Sequence, residues 1–565
     1  MIDWTRPLRW PSPGRTDSPA EVEARPFVAF AGEVVASLVV YMLLERVLVG
    51  LGRLPPDAYE RAFFSQEIVS RSVRLLRARV PLVMLAAGLA ALALAVVAVA
   101  RSAERGRVLG IFSGWRELDE GVALRWLIGA ATGIAVWTLA AYPYNAYFDR
   151  VHLADRLILV ALWAALLWRP VFTLPFAAVA SAIAHQFQIP LASYSWTEME
   201  LLVRIPIMLG AFWIVRSLVR DRRADTFVFL LCCLIAVTWW TSGWGKVRMG
   251  WITHPHIDFL LAGAYANGWL AFMDAGTVAR MADIVAGLRI PLMVATLIVE
   301  CGALFLLWRR WSLPLFLGLT STFHLGAFAL TGIFFWKWIL IDLSFLLFLF
   351  QGRRLTRLRI FSRAQFALAV VIILANGVWI SARNLSWFDT PLTYVIRLEG
   401  VDADGGTHAL PAGFFRPYSE TFVLETFPYL SPYAQLTGPM GVTQSRETAD
   451  ALLAATAPED IFALERTRAR SRYDAERSAR FDEFVARWMR ASNRDGAREA
   501  LLRISAPRHL WTFPLDADRD ALGRILEVRV VEVTNYYDGR ALREIRRRTL
   551  RTIDLRGGAA VLDGS

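Results

Sequence analysis

Eleven runs of apolar residues, each near the length that spans a bilayer, constrain this chain before any single motif does. A hydrocarbon core takes about 20 predominantly apolar residues in helical form. The runs fall at roughly 27–51, 80–100, 122–142, 155–169, 171–188, 200–219, 226–245, 290–308, 312–330, 333–351 and 364–382. With 56% hydrophobic residues and with 22 Trp and 34 Phe among 565 positions, the chain carries more apolar surface than a soluble fold of this size uses. The expected fold class is an all-α polytopic membrane domain of about 10–11 transmembrane helices. A small mixed α/β extracytoplasmic domain is expected to follow it.

Hydropathy divides the chain into an N-terminal region, 1–119, with two expected spans, a transmembrane domain, 120–385, and a tail of soluble character, 386–565. The run from His256 to Met273 is too polar for a span and reads as a re-entrant or interfacial helix. The first 26 residues are polar and proline-rich, so no cleavable signal peptide is expected. A formal charge of +12 would suggest nucleic acid in a soluble protein, but no basic patch here is interleaved with stacking aromatics. Arginine-rich loops facing anionic lipid account for it better. Cys232, Cys233 and Cys301 all lie in apolar runs and offer neither a disulfide framework nor zinc spacing, so no metal is expected.

Orientation follows from the loops. Arg216, Arg220, Arg222 and Arg223, then Arg309 and Arg310, then Arg353, Arg354, Arg357, Arg359 and Arg363 mark three cytoplasmic turns. The tail therefore leaves the last span on the other side, in a multi-pass inner-membrane protein. Loop 53–79, with six arginines, conflicts with this alternation and implies an amphipathic element or a different start. In the tail, Tyr394–Leu398 and Glu420–Glu425 read as strands and 446–504 as helical. Ile525–Val533 and Ala541–Ile553 read as a hairpin about Asn535–Gly539.

Only two of the 62 basic residues are lysine, and both, Lys246 and Lys337, sit in or beside apolar runs. Arginine stays protonated in proteins, whereas a desolvated lysine can lose its proton and act as a base. The orientation places both lysines, and all seven histidines (His152, His185, His254, His256, His324, His408 and His509), on the outer side or in the outer half of a span. A polar chamber opening outward is one reading, and solvated loop histidines are the plain alternative. His324 lies within an apolar span, where a neutral imidazole needs a partner. Glu300 and Asp342 are mid-span carboxylates, which serve either as hydrogen-bond glue between helices or as tuners of a neighbour. Lys246 among tryptophans also reads as a snorkelling cation in an aromatic belt, and Lys337, between Trp336 and Trp338, favours a snorkelling or cation–π role.

Together Gly243-x-x-Lys246, Trp251, mid-span Glu300, Phe323-His324-Leu325 and Gly332-Ile-Phe-x-Trp336 resemble the HTTM domain, the membrane domain shared by vitamin K-dependent gamma-glutamyl carboxylase and its bacterial relatives. The resemblance covers roughly 120–385 and is densest over 241–350. It implies a lyase-type, quinone-oxidising carboxylase, with Lys246 as base on reduced vitamin K or a related quinone and His324 as its hydrogen-bonding partner. Trp251, His256, Glu300, Trp336 and Asp342 are the implied substrate- or cofactor-binding residues. The implied partners are the lipid bilayer, a lipid-soluble quinone and a peptide or protein substrate on the extracytoplasmic side. The alternative is a non-catalytic protein that keeps the HTTM scaffold as an assembly, quinone-binding or lipid-binding subunit.

Overall fold

The computed structural model describes residues 27–52, 114–141, 153–186, 197–218, 223–415, 422, 427–495, 506–514 and 524–556. The expected span 80–100, the arginine-rich loop 53–79 and His152 lie outside the described residues, as does the expected strand Glu420–Glu425 apart from Phe422. The first part of the chain is helical: α1 (Phe27–Gly52), α2 (Gly121–Ala141), α3 (Leu153–Trp168), α4 (Thr173–Gln186), α5 (Thr197–Arg216), α6 (Asp225–Met249), α7 (His256–Ala266), α8 (Ala275–Gly287), α9 (Arg289–Gly302), α10 (Ser312–Thr331), α11 (Trp336–Phe350) and α12 (Arg363–Leu374).

Among the described residues four helices are long and apolar enough to cross a membrane: Phe27–Leu48 of α1, then α2, α6 and α10. A fifth arises if α8 and α9, bent by 66° at Leu288, are one broken span. Several expected runs fold shorter than a bilayer. Runs 155–169 and 171–188 become α3 and α4 of 16 and 14 residues. Between them Arg169 is extended and Pro170 opens a 3-10 turn, since proline cannot continue the preceding helix. The run at 364–382 keeps only 12 helical residues in α12. The segment expected to be re-entrant or interfacial forms α7, which packs among α8, α10 and the first strands of the tail.

One large apolar core joins α1 to α6 with α10 to α12, and α6 is buried along most of its length. Arg216 corrects the loop reading. It closes α5 with no exposed surface, its Nη1 donating to Glu33 Oε1 of α1 at 2.6 Å and its Nη2 to the Arg223 carbonyl. Thr226 Oγ1 donates to the other Glu33 oxygen at 2.8 Å. Arg354 and Arg357, by contrast, lie in an arginine-rich turn as expected, and both bond Glu120 just ahead of α2, at 2.8 and 3.1 Å.

The tail is a mixed α/β domain. Its sheet comprises β1 (Leu392–Asp402), β2 (Thr407–Leu410), β3 (Ile525–Tyr537) and β4 (Leu542–Asp554), all antiparallel in the order β2-β1-β3-β4. The helical region resolves into α13 (Arg446–Ala454), α14 (Pro458–Arg468) and α15 (Ala475–Asp495). Phe481, Phe484, Val485 and Trp488 of α15 cover Val528 and Val530 of β3. The hairpin is present, but Asn535-Tyr536-Tyr537, expected in the turn, belong to β3. Tyr536 is held there because its hydroxyl reaches the Ala455 carbonyl at 2.7 Å. The turn itself is Asp538–Ala541, with Gly539 at φ 86°.

Two features dock the tail on the helices. Val278, Trp269, Leu261 and Phe328 from the helical part share an apolar cluster with Tyr537, Trp511, Phe513 and Met440. Backbone pairs add to it: Phe334 N–H donates to His509 O at 2.6 Å, Trp511 N–H to Gly332 O at 3.0 Å and Phe513 N–H to Gly268 O at 2.8 Å. Gly332 stands at φ 73°, and a Cβ there would meet the Trp269 ring and the Trp511 carbonyl at 2.8 Å. The Gly332-Ile-Phe motif is thus an edge on which the tail pairs.

Replacing Arg216 by Met should strand the Glu33 carboxylate in the core and lower stability by about 3 kcal/mol, as breakage of a buried pair from one side does. The paired variant Glu33→Gln/Arg216→Met should recover most of that loss. Detergent-solubilised thermal or denaturant unfolding of the three proteins measures it.

Candidate functional site

The last two turns of α6 read Gly243-Trp-Gly-Lys246, and the glycines are there for what approaches them. A Cβ on Gly243 would stand 2.8 Å from the Glu300 Cβ and 2.9 Å from the Cys301 sulfur of α9. On Gly245 it would stand 1.9 Å from the Asn384 side-chain oxygen and 2.8 Å from Ser386 Oγ, in the connection to the tail. Two neighbouring glycines therefore let α9 and the connection press on adjacent sides of one helix. Gly243 precedes Lys246 by three residues, so both share a face. Glu300 is drawn up beside the amine by that close packing.

The result is a tightly bonded ion pair. Lys246 Nζ lies 2.7 and 2.9 Å from the two Glu300 oxygens and 3.2 Å from the Leu385 carbonyl. An ammonium has three hydrogens to donate, and all three have an acceptor. Lys246 is 12% exposed and Glu300 5%, so neither charge has water enough to do without the other. Nζ also sits 5.8 Å from the centroid of Trp251, which follows the left-handed Gly250 cap of α6.

Trp251 links this pair to a second one. The His256 ring stacks on Trp251 at 4.8 Å and on Phe388 at 5.6 Å, with the His254 ring 4.5 Å away. His256 is wholly buried, and its Nδ1 lies 3.2 Å from both Asp389 Oδ2 and the Asp389 amide nitrogen. Those neighbours ask for opposite tautomers. If the amide donates to Nδ1, Nε2 carries the hydrogen; if Nδ1 donates to the carboxylate, Nε2 offers its lone pair. Nε2 has no hydrogen-bond partner among the described residues, and neither has Ser386 Oγ. His254 Nε2 contacts the Asp389 carbonyl at 2.8 Å, and its Nδ1 is 3.9 Å from Asp450 of α13. Chemically, the junction of helices and tail can hold a proton, donate to an anion or bind a hydroxyl.

Four of the expected site residues, Lys246, Trp251, His256 and Glu300, come together here. The other three, His324, Trp336 and Asp342, belong to the α10–α11 pair deeper in the bundle. His324 is ringed by Trp239 at 4.9 Å, Phe335 at 4.8 Å and Trp338 at 6.0 Å. Asp342 Oδ2 accepts from Thr320 Oγ1 at 2.8 Å, and Trp336 meets Trp137 edge-on at 5.1 Å. Trp239 and Lys246 are seven residues apart on α6, about 10 Å along the axis. Lys246 and His324 thus have separate surroundings, and the contacts of each differ from the paired geometry expected of them. Lys337 is buried, 5.3 Å from the Trp336 ring centroid, a cation–π contact, which is one of the two roles its sequence position offered.

Asp389 was not singled out from the sequence. Its one signal is that it is the first acidic residue after Asp342, placed where hydropathy falls. No family model, curated protein or solved structure matches this chain.

Burial lowers the His256 pKa, against the opposing hydrogen bond and charge of Asp389, with His254 and Lys246 adding to the lowering. The docked state therefore disfavours the imidazolium, whereas an undocked histidine titrates near 6.5. Undocking takes up a proton, so docking should be at full strength above that value and weaken as the pH falls through it. Amide exchange of residues 385–389 followed against pH should show this, and His256→Asn should flatten the dependence. Gly245→Val should loosen the same amides at every pH, since its side chain displaces Asn384 and Ser386.

Proposed function

We propose that this chain is a multi-pass inner-membrane protein whose tail lies on the extracytoplasmic side. On this reading the junction site is a base site of carboxylase type, acting on a reduced quinone whose oxidation by oxygen is coupled to carboxylation of glutamate. The observation that carries the proposal is the Lys246–Glu300 pair, with nitrogen and oxygen 2.7 Å apart. The apolar helices support the embedding, and the arginine-rich turn about Arg354 and Arg357 supports the orientation.

The residues present fit a hydroxylated ring. His256 Nε2 and Ser386 Oγ are buried polar atoms without partners among the described residues, one beside Trp251 and one beside Gly245, which lies next to Lys246 in the chain. When bound, a reduced quinone would supply the reducing power and the ionisable hydroxyl. The chain's part is to move protons. A proton passing from Lys246 Nζ to Glu300 leaves an amine and a carboxylic acid, both neutral. The amine can then accept a hydroxyl proton and become an ammonium again, next to the negative charge that remains. His256 can donate or accept at Nε2 according to its tautomer.

A second reading is favoured by one specific feature, the bond from Lys246 to the Leu385 carbonyl. Here the ammonium is a clamp on the start of the tail, in a non-catalytic scaffold that binds quinone or lipid.

Activity of the full chain in lipid vesicles separates the two. Loss of reduced quinone and incorporation of radiolabelled bicarbonate into a glutamate-containing peptide should both fall, on the order of 10²-fold, in Lys246→Ala and in Lys246→Arg. Glu300→Gln should match them. Turnover that survives in Lys246→Arg removes the base role and leaves the clamp.

A further inference from the structure

Buried polar atoms in native proteins have partners, and those left over mark water, an ion or a function. Among the described residues, three such atoms lie in the bundle away from the junction: Trp239 Nε1, His324 Nδ1 and Asp342 Oδ1. They stand on three neighbouring helices, α6, α10 and α11. The Trp239 and His324 rings are 4.9 Å apart, the Trp239 and Trp338 rings 6.4 Å, and the His324 and Trp338 rings 6.0 Å. Asp342 lies four residues beyond Trp338 on α11. Its other oxygen holds Thr320 Oγ1 at 2.8 Å, and Thr320 lies four residues before His324 on α10. One helical turn, about 5.4 Å, thus separates the level of the imidazole from that of the carboxyl on both helices.

The three atoms are chemically complementary. The indole N–H only donates, the imidazole nitrogen donates or accepts, and the carboxyl oxygen accepts unless it is protonated. A buried water molecule makes about three hydrogen bonds to otherwise unsatisfied groups. Around them stand the rings of Phe316, Phe323, Phe335 and Trp338, and the hydroxyls of Thr320 and Ser321 lie beside the other Asp342 oxygen. The tail approaches on one side. Phe335 stacks on His324 and meets His509 edge-on at 5.2 Å, and His509 lies within electrostatic reach of His324. The ionisable side chains about this place are Asp342 and Lys337 of α11 and His509 of the tail, while α6 carries no acidic or basic residue between Asp225 and Lys246.

We propose that Trp239, His324 and Asp342 form a proton-holding site inside the helical bundle, in which one water molecule joins the His324 imidazole to the Asp342 carboxyl and His509 exchanges protons with the outside. A proton arriving at His509 passes to His324, then through the water to Asp342, which it neutralises; release runs in reverse. Nothing else is bonded or oxidised. The site does not require the junction chemistry, and no Lys246 variant bears on it.

The full chain in lipid vesicles tests this when the outer medium is stepped from alkaline to acidic and proton uptake is followed with a pH-sensitive dye. Wild type should take up one proton more per chain than Asp342→Asn, whose side chain is nearly isosteric. His324→Gln should keep that extent while slowing its approach by about tenfold or more. His509→Gln, changed on the tail side, should slow it likewise, and Trp239→Phe, which loses the indole N–H together with its five-membered ring, should slow it too. Equal extents in wild type and Asp342→Asn overturn the proposal, as do unchanged rates in both histidine variants. Should His324→Gln fail to fold, the His509→Gln rate decides alone.

Discussion

The ion pair between Lys246 and Glu300 is the constraint on which the rest of the junction depends. It joins the end of α6 to the last turn of α9, and through the Leu385 carbonyl it fixes where the tail begins. Such a pair is costly to bury and does not by itself stabilise much, but losing either member leaves an unpaired charge. Its geometry therefore has to be guaranteed by packing. Gly243 and Gly245 guarantee it, because no larger residue lets Glu300 and the 384–386 connection come so close to the helix. What looks in sequence like a lysine at the frayed end of a span is in fact held on three sides.

The helical part presents its chemistry at two depths along one helix. Near the end of α6, Lys246 belongs to a polar junction shared with His254, His256 and Asp389. Two turns earlier, Trp239 belongs to an aromatic cluster in which His324 and Asp342 are the polar members. The tail closes over both. It contributes Asp389 to the first, and His509 reaches toward the second while residues 509–513 pair with Gly332, Phe334 and Gly268. The junction forms only where the tail is seated on the helices, because Asp389 and the Leu385 carbonyl come from the connection.

Much of the secondary structure was legible because it rests on local pattern. Apolar runs bounded by arginine or by Gly and Pro became helices close to their expected limits, as α2, α6 and α10 show. The Asp538-Gly539 turn was legible because left-handed backbone needs few residue types. Less legible were features in which the partner is remote. Arg216 read as a loop cation because Glu33, its partner, lies 183 positions away. Asn535-Tyr536-Tyr537 read as a turn because the contact that keeps Tyr536 in the strand comes from Ala455. Helix length was overestimated where the turn after Leu374 cut an apolar run short.

By itself the sequence determined that the chain would be dominated by apolar helices followed by a mixed domain, since hydropathy and periodicity are properties of neighbours along the chain. It also determined that amines would be confined to two positions, and it marked Lys246, Glu300, His256 and Trp251 as candidates. Only the tertiary structure decided that these four stand together while His324, Trp336 and Asp342 stand elsewhere. Spacing along a helix fixes which face a side chain takes, but which element meets that face depends on packing across the whole bundle. Asp389 completes the junction for the same reason: it reaches His256 only because the connection is seated against Gly245.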